Sequence, residues 1–293
     1  MELKDYFGYT GKVCVVTGAA SGMGKAAAEL LVELGARVYA LDWAKVETAG
    51  IEKYIHTNLM EKASIDAAFA EIPEKIDSFF GIAGISGLNN TFAETVIVDY
   101  VANKYICEEI LQQRMSAGGA ISFVTSTAGN FWELEGNREE YLPVIQATGW
   151  EATVAAVENS FFAVCPGTMG YPFAKAAMNY YVQYLQKLFA AKGIRVNAVL
   201  PAGTASGMTD QFSTMAGGDD NLLGTTGYAG RLALSKEMAE PLIYLNSQMA
   251  SYISGALLPV DFGDYGEQVA RLRPQRVFTF TQIKAAMMAQ AGQ

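Results

Sequence analysis

Lys12-Val13-Cys14-Val15-Val16-Thr17-Gly18-Ala19-Ala20-Ser21-Gly22-Met23-Gly24 joins an apolar run to a glycine-rich turn. Residues 12–17 read as a buried strand, because branched valines are stiff at χ1 and pack well on a pleated surface. Residues 24–34 then carry apolar side chains at helical spacing, and Gly35 suits the position just past a helix end. In a strand–turn–helix context, glycines let the backbone turn tightly and let a pyrophosphate approach the amides at a helix N-terminus, where the dipole is positive. Gly18, Ser21, Gly22, Met23 and Gly24 are therefore candidate nucleotide contacts. The same three glycines would also serve a plain strand-to-helix turn, so the loop needs support from elsewhere in the chain.

Outward from this loop the same alternation continues. Strands are expected over 12–17, 37–41, 54–57, 79–83, 120–125, 194–200 and 256–260, with helices over 24–34, 64–70, 99–117 and 175–192. Near-continuous apolar strands separated by helices indicate a parallel sheet covered on both faces. The expected fold class is α/β: a single-domain, Rossmann-like doubly wound sheet spanning 1–293, with its core over 11–263. Two segments break the rhythm. Residues 130–168 are too long for an ordinary connection and contain helix-like stretches at 139–144 and 150–160. Residues 271–293 begin basic and then become helix-prone, and read as a C-terminal helical extension.

Composition removes several classes of function. A net charge of −9 lacks the basic footprint that nucleic acid requires. No run approaches a membrane-spanning length, and the N-terminus lacks the apolar core of a signal peptide, so a cytoplasmic location is expected. Cys14, Cys107 and Cys165 are odd in number and far apart, which fits a reducing compartment and provides no disulfide framework or metal cluster. The single histidine, His56, lies in a strand-like run with no elbow serine nearby. A Ser-His-Asp triad and a zinc site are both disfavoured, and His56 reads as a structural residue.

Three further elements carry chemistry. Asp42 ends the second strand, where its carboxylate would accept hydrogen bonds from a ribose and repel a 2′-phosphate. No Arg or Lys stands at Ala20 or Trp43 to receive such a phosphate, so NAD(H) is expected over NADP(H). Tyr171 and Lys175 lie four apart at a helix start, which puts phenol and ammonium on one face. A cation beside the phenol is expected to lower its pKa towards physiological pH, as a proton-exchanging group needs. Ser126, in Thr125-Ser126-Thr127, ends the fifth strand at the sheet's carboxyl edge, where doubly wound folds bind ligands.

Taken together, these elements resemble the short-chain dehydrogenases/reductases, in order over about residues 11–263. The family's TGxxxGxG is met by Thr17–Gly24, whereas its NNAG is half met by Gly81-Ile82-Ala83-Gly84. Its PGxxxTxM becomes Pro201-Ala202-Gly203-Thr204-Ala205-Ser206-Gly207-Met208. The resemblance implies catalytic roles for Asn103, Ser126, Tyr171 and Lys175: a relay-water position, substrate orientation, proton exchange, and pKa and ribose control. It also implies cofactor contacts from Asn58, Leu59, Ala83, Gly84, Pro201, Thr204 and Ser206, besides the glycine loop and Asp42. Ser126 and Tyr171 stand 45 positions apart, where the family usually has about a dozen. Bacterial hydroxysteroid dehydrogenases carry similar insertions, which makes a hydrophobic alcohol or ketone the implied substrate partner. A reductase of small or aromatic ketones is the alternative among enzymes, and a non-catalytic nucleotide-binding regulator the alternative of another class. The apolar helices 99–117 and 175–192 imply a homodimer or homotetramer built by pairing them. Phe131, Trp132, Tyr141 and Trp150 of the insertion are expected to cover the substrate as a lid.

Overall fold

In the computed structural model, described over residues 3–275, 277 and 279–291, seven parallel strands form one sheet. These are β1 (Val13–Thr17), β2 (Arg37–Asp42), β3 (Lys53–His56), β4 (Ile76–Gly81), β5 (Met115–Val124), β6 (Arg195–Pro201) and β7 (Leu257–Val260), in spatial order β3-β2-β1-β4-β5-β6-β7. The order reverses between β1 and β4, so their carboxyl ends open a crevice at the topological switch point. Every residue of β1 is buried, as a strand packed on both faces requires.

The two faces have separate cores. Helices Gly22–Glu33 and Ser235–Asn246 cover one face through Ala27, Ala28, Leu31, Leu242 and Ile243. The other is covered by helix Lys62–Ala70, a long helix running from Phe92 to Arg114, and helix Gly167–Phe189. The Phe92–Arg114 helix starts earlier than the sequence reading has it, because Thr91 and Glu94 form a reciprocal capping box. It ends earlier too: the Arg114 guanidinium donates to the carbonyls of Phe69, Ile72 and Pro73, and Met115 already pairs with Ile76. Two stretches, Ile97–Val101 and Ile106–Leu111, widen into π-helical turns.

The insertion forms helices Glu135–Gln146 and Trp150–Glu158, and the tail forms helix Phe280–Ala291. These pack on one another. Phe280 N donates to Asn137 Oδ1 at 2.8 Å, and Lys284 pairs with Glu140 at 2.9 Å. Phe280 also meets the rings of Phe162 and Phe173 at 5.7 and 5.4 Å, contacts worth roughly 0.5–1.5 kcal/mol each beyond the area they bury.

Candidate active site

The switch-point crevice is a continuous cleft of about 1370 Å³. At one end lies the glycine loop, and two of its glycines are required by close approach. Gly18 has φ +72°, and a Cβ there would stand 2.8 Å from Ala83 N. A Cβ on Gly24 would stand 2.0 Å from Gly18 O. The loop therefore presses against the residues after β4, and nothing larger than hydrogen fits between them. Thr17 Oγ1 accepts from Ile82 N (3.1 Å) and Ala83 N (3.2 Å), which ties the end of β1 to the residues after β4.

Asp42 stands at the end of β2 with both oxygens aimed at backbone: Oδ2 accepts from Ala20 N and Oδ1 from Ala44 N, each at 2.9 Å. Asn58 and Leu59 line the same end. The Asn58 side chain is engaged locally, accepting from Met60 N and donating to Glu61. His56 is exposed at the cleft rim, with Nδ1 3.4 Å from the Tyr54 hydroxyl, rather than packed as a core residue. Ser21, Gly22, Met23, Ala83, Gly84, Pro201, Thr204 and Ser206 all face the same cleft. A dinucleotide fits this donor set: a glycine cradle closed to any Cβ, backed by a carboxylate at the next strand end.

Midway along the cleft, Ser126, Tyr171 and Lys175 converge. Ser126 stands close enough to Tyr171 to act on its pKa, lowering it. Lys175 Nζ lies 5.2 Å from the Tyr171 ring centre and donates to Val124 O at 3.4 Å. Helix Gly167–Phe189 continues through Pro172, which leaves the two side chains one turn apart as the spacing predicts. The expected lowering of the Tyr171 pKa does not appear. Burial raises it above the usual phenol value, outweighing the opposing pull of Lys175 and Ser126, and Asp99 adds to the rise.

Asp99 was not anticipated from sequence. Its Oδ2 lies 3.2 Å from Lys175 Nζ, its Oδ1 accepts from Ile85 N at 2.8 Å, and its side chain is fully buried. Asn103, assigned the relay position by resemblance, stands one helical turn further on. Its amide donates to Asp99 O at 3.3 Å, and a Cβ on Gly81 would stand 2.7 Å from its Oδ1. Asn103 thus faces the end of β4 and is absent from the cleft wall. The two residues share a helix face, and in the π-helical turn Ile97–Val101 it is Asp99 whose side chain meets the lysine.

The cleft is also lined by apolar Phe131, Met169, Phe212, Met215, Phe280 and Ile283, interspersed with Asn137, Gln211, Asp264 and Gln268. Phe131 has φ +60°, a strained value for a bulky residue, and its carbonyl accepts from the buried Asn137 Nδ2 at 2.9 Å. The lid expectation holds in position for Phe131 alone. Trp132 and Tyr141 pack on Tyr180, with ring centres 6.2 and 5.8 Å away, and Trp150 packs on Tyr105 at 5.6 Å. These three pack on part of the helix faces named above for subunit pairing, while Tyr184, Lys187 and Leu188 of the same helix keep some exposure. Phe280 and Ile283 of the tail helix line the cleft instead.

Residues 18–264 match the family profile described as enoyl-(acyl carrier protein) reductase. Among curated relatives, a coniferyl-alcohol dehydrogenase of a Pseudomonas species is 27% identical over 87% of this chain and 96% of its own length. A 3-oxoacyl-[acyl-carrier-protein] reductase of Escherichia coli is 28% identical over 88% and 98%. A 3beta-hydroxysteroid dehydrogenase of Mediterraneibacter gnavus is 26% identical over 86% and 94%. Among solved structures, a Pseudomonas 3-alpha-hydroxysteroid dehydrogenase complexed with NADH superposes with a TM-score of 0.70 at 22% identity, covering 91% of this chain and 100% of that one. Levodione reductase gives a TM-score of 0.68 at 19% identity, covering 88% and 99%. With its parallel sheet, its glycine cradle and its tyrosine and lysine one turn apart, the chain belongs to the short-chain dehydrogenase/reductase family of oxidoreductases.

Proposed function

We propose that the chain is an NAD(H)-dependent dehydrogenase interconverting a secondary alcohol and a ketone on a bulky hydrophobic skeleton, with hydroxysteroids the leading class. The observation that carries this is that Ser126, Tyr171 and Lys175 line the same cleft as Phe131 of the insertion and Phe280 and Ile283 of the tail helix. Relatives named for an aromatic alcohol and for a hydroxysteroid support the same class. The bound nicotinamide would give or take the hydride. Gly18, Ser21, Gly22, Met23 and Gly24 would hold its pyrophosphate, and Asp42 its adenosine ribose. Tyr171 gives its proton to the carbonyl oxygen during reduction and takes it from the carbinol during oxidation. Ser126 orients that oxygen, and Lys175 supplies the local positive charge. Three buried free thiols suit a reducing, cytoplasmic compartment. Among the described residues, no helix is long and apolar enough to cross a membrane.

Assays of NAD reduction and NADH oxidation against steroids, aryl alcohols and short diketones test the substrate class. With the best bulky substrate, Phe131→Ala and Phe280→Ala should each raise KM by about tenfold, since a lost apolar contact of this size is worth about 1–3 kcal/mol. NADH affinity should hardly change. Trp132→Ala and Trp150→Ala, which lie away from the cleft, should leave KM near the parent value. A parent-like KM in both Phe variants would remove both side chains from the specificity determinants and the hydroxysteroid reading with them.

A symmetric homodimer or homotetramer is expected, built on the helix faces left open or on a second surface. Edge strand β7 presents Leu258, with Tyr252 and Phe262 beside it, all exposed. Light scattering should give a mass above 31.5 kDa at micromolar concentration; a monomer there would refute the assembly.

A further inference from the structure

Lys175 is not alone with Tyr171. On its inner side it meets a buried carboxylate, and the three groups sit on two different helices. Asp99 is 1% exposed and Lys175 is 4% exposed. Their charged atoms are 3.2 Å apart, and Asp99 is held from the other side by Ile85 N–H. The groups facing the pair from every packed element are few. They are Tyr171 on the same helix as Lys175, the Ser126 hydroxyl and Val124 carbonyl after and within β5, and the Ile85 amide after β4. The Asn103 amide meets Asp99 only at its backbone carbonyl. Burial raises the Asp99 pKa against the pull of Lys175 and the Ile85 amide. With Asp99 ionised, the trio Asp99, Lys175 and Tyr171 carries no net charge while Tyr171 is protonated, and one negative charge once it ionises. With a neutral residue at position 99 the same trio would pass from one positive charge to none.

We propose that Asp99 is a positioning residue that sets the protonation balance of Tyr171 through Lys175, holding the tyrosine in its proton-donating form. The geometry does this in two ways. The carboxylate draws the ammonium towards the Ile85 side, away from the phenol, and it cancels much of the positive potential that would stabilise a phenolate. Burial works to lower the Lys175 pKa, and Asp99 and Tyr171 outweigh it, so the lysine stays charged. The same carboxylate acts to raise the Tyr171 pKa. At neutral pH the site is thereby biased towards carbonyl reduction. Alcohol oxidation, which needs the phenolate, gains as pH rises.

The inference rests on Tyr171 as the proton carrier, so the two are tested with separate variants. Asp99→Asn is isosteric and keeps an acceptor for Ile85 N–H. Removing the negative charge lowers the Tyr171 pKa, so the rising limb of the pH profile for oxidation kcat should move to lower pH by about 1–2 units, the usual effect of a charge at this range. Asp99→Glu keeps the charge and should keep the limb near its parent position even if kcat falls. Should Asp99→Asn fail to fold by circular dichroism, Asp99→Ser removes the charge and leaves a hydroxyl for Ile85, and carries the same expectation. A folded neutral variant whose limb stays in place overturns the proposal. If Tyr171→Phe keeps its activity, the proton-carrier reading fails instead.

Discussion

Tyr171→Phe is expected to lower kcat by about 10² or more while NADH still binds with near-parent affinity. The substitution removes one oxygen and almost no volume. The ring stays packed on Phe212, whose centre lies 5.2 Å away, and helix Gly167–Phe189 keeps its register. What disappears is the hydroxyl of a tyrosine that lines the cleft together with Ser126. Lys175 does not take over, because its ammonium is drawn to Asp99 and the Val124 carbonyl. Single-turnover kinetics with pre-bound NADH separate the chemical step from binding. A variant that retains near-parent kcat would place the proton on another group and defeat the mechanism.

The second large effect concerns the cofactor. NAD(H) should be preferred over NADP(H) by at least about tenfold in kcat/KM, about 1.4 kcal/mol. Both Asp42 oxygens are already fixed by the amides of Ala20 and Ala44, so the carboxylate cannot swing away from an incoming group. Each oxygen keeps a second lone-pair site, which suits a ribose hydroxyl and opposes a phosphate. Nearby Lys45 is the one cation that lines this end among the described residues, and it pairs loosely with Glu47 at 3.5 Å. Steady-state rates with both reduced cofactors check the preference. Equal or faster turnover with NADPH would mean that Lys45 outweighs Asp42.

Much of the site was legible because its parts are local. A glycine turn between a valine strand and an alanine-rich helix, an acid at a strand end, and a phenol and ammonium at i, i+4 all follow from short-range geometry. The insertion was legible as a segment and illegible in its orientation. Its aromatics look alike in sequence, yet Phe131 turns into the cleft through a positive φ held by Asn137, whereas Trp132, Tyr141 and Trp150 turn to the helices.

The sequence by itself determined the alternating strands and helices, the cradle at Gly18–Gly24, and the pairing of Tyr171 with Lys175, because backbone chemistry and helical periodicity act over a few residues. Only the tertiary structure decided the partners that are distant along the chain. It put Asp99 rather than Asn103 against Lys175, where a π-helical turn changes which side chain reaches across. It also docked Phe280 onto Asn137, 143 positions away, at the cleft wall. Such contacts depend on how whole helices settle against one another, and no local spacing encodes that.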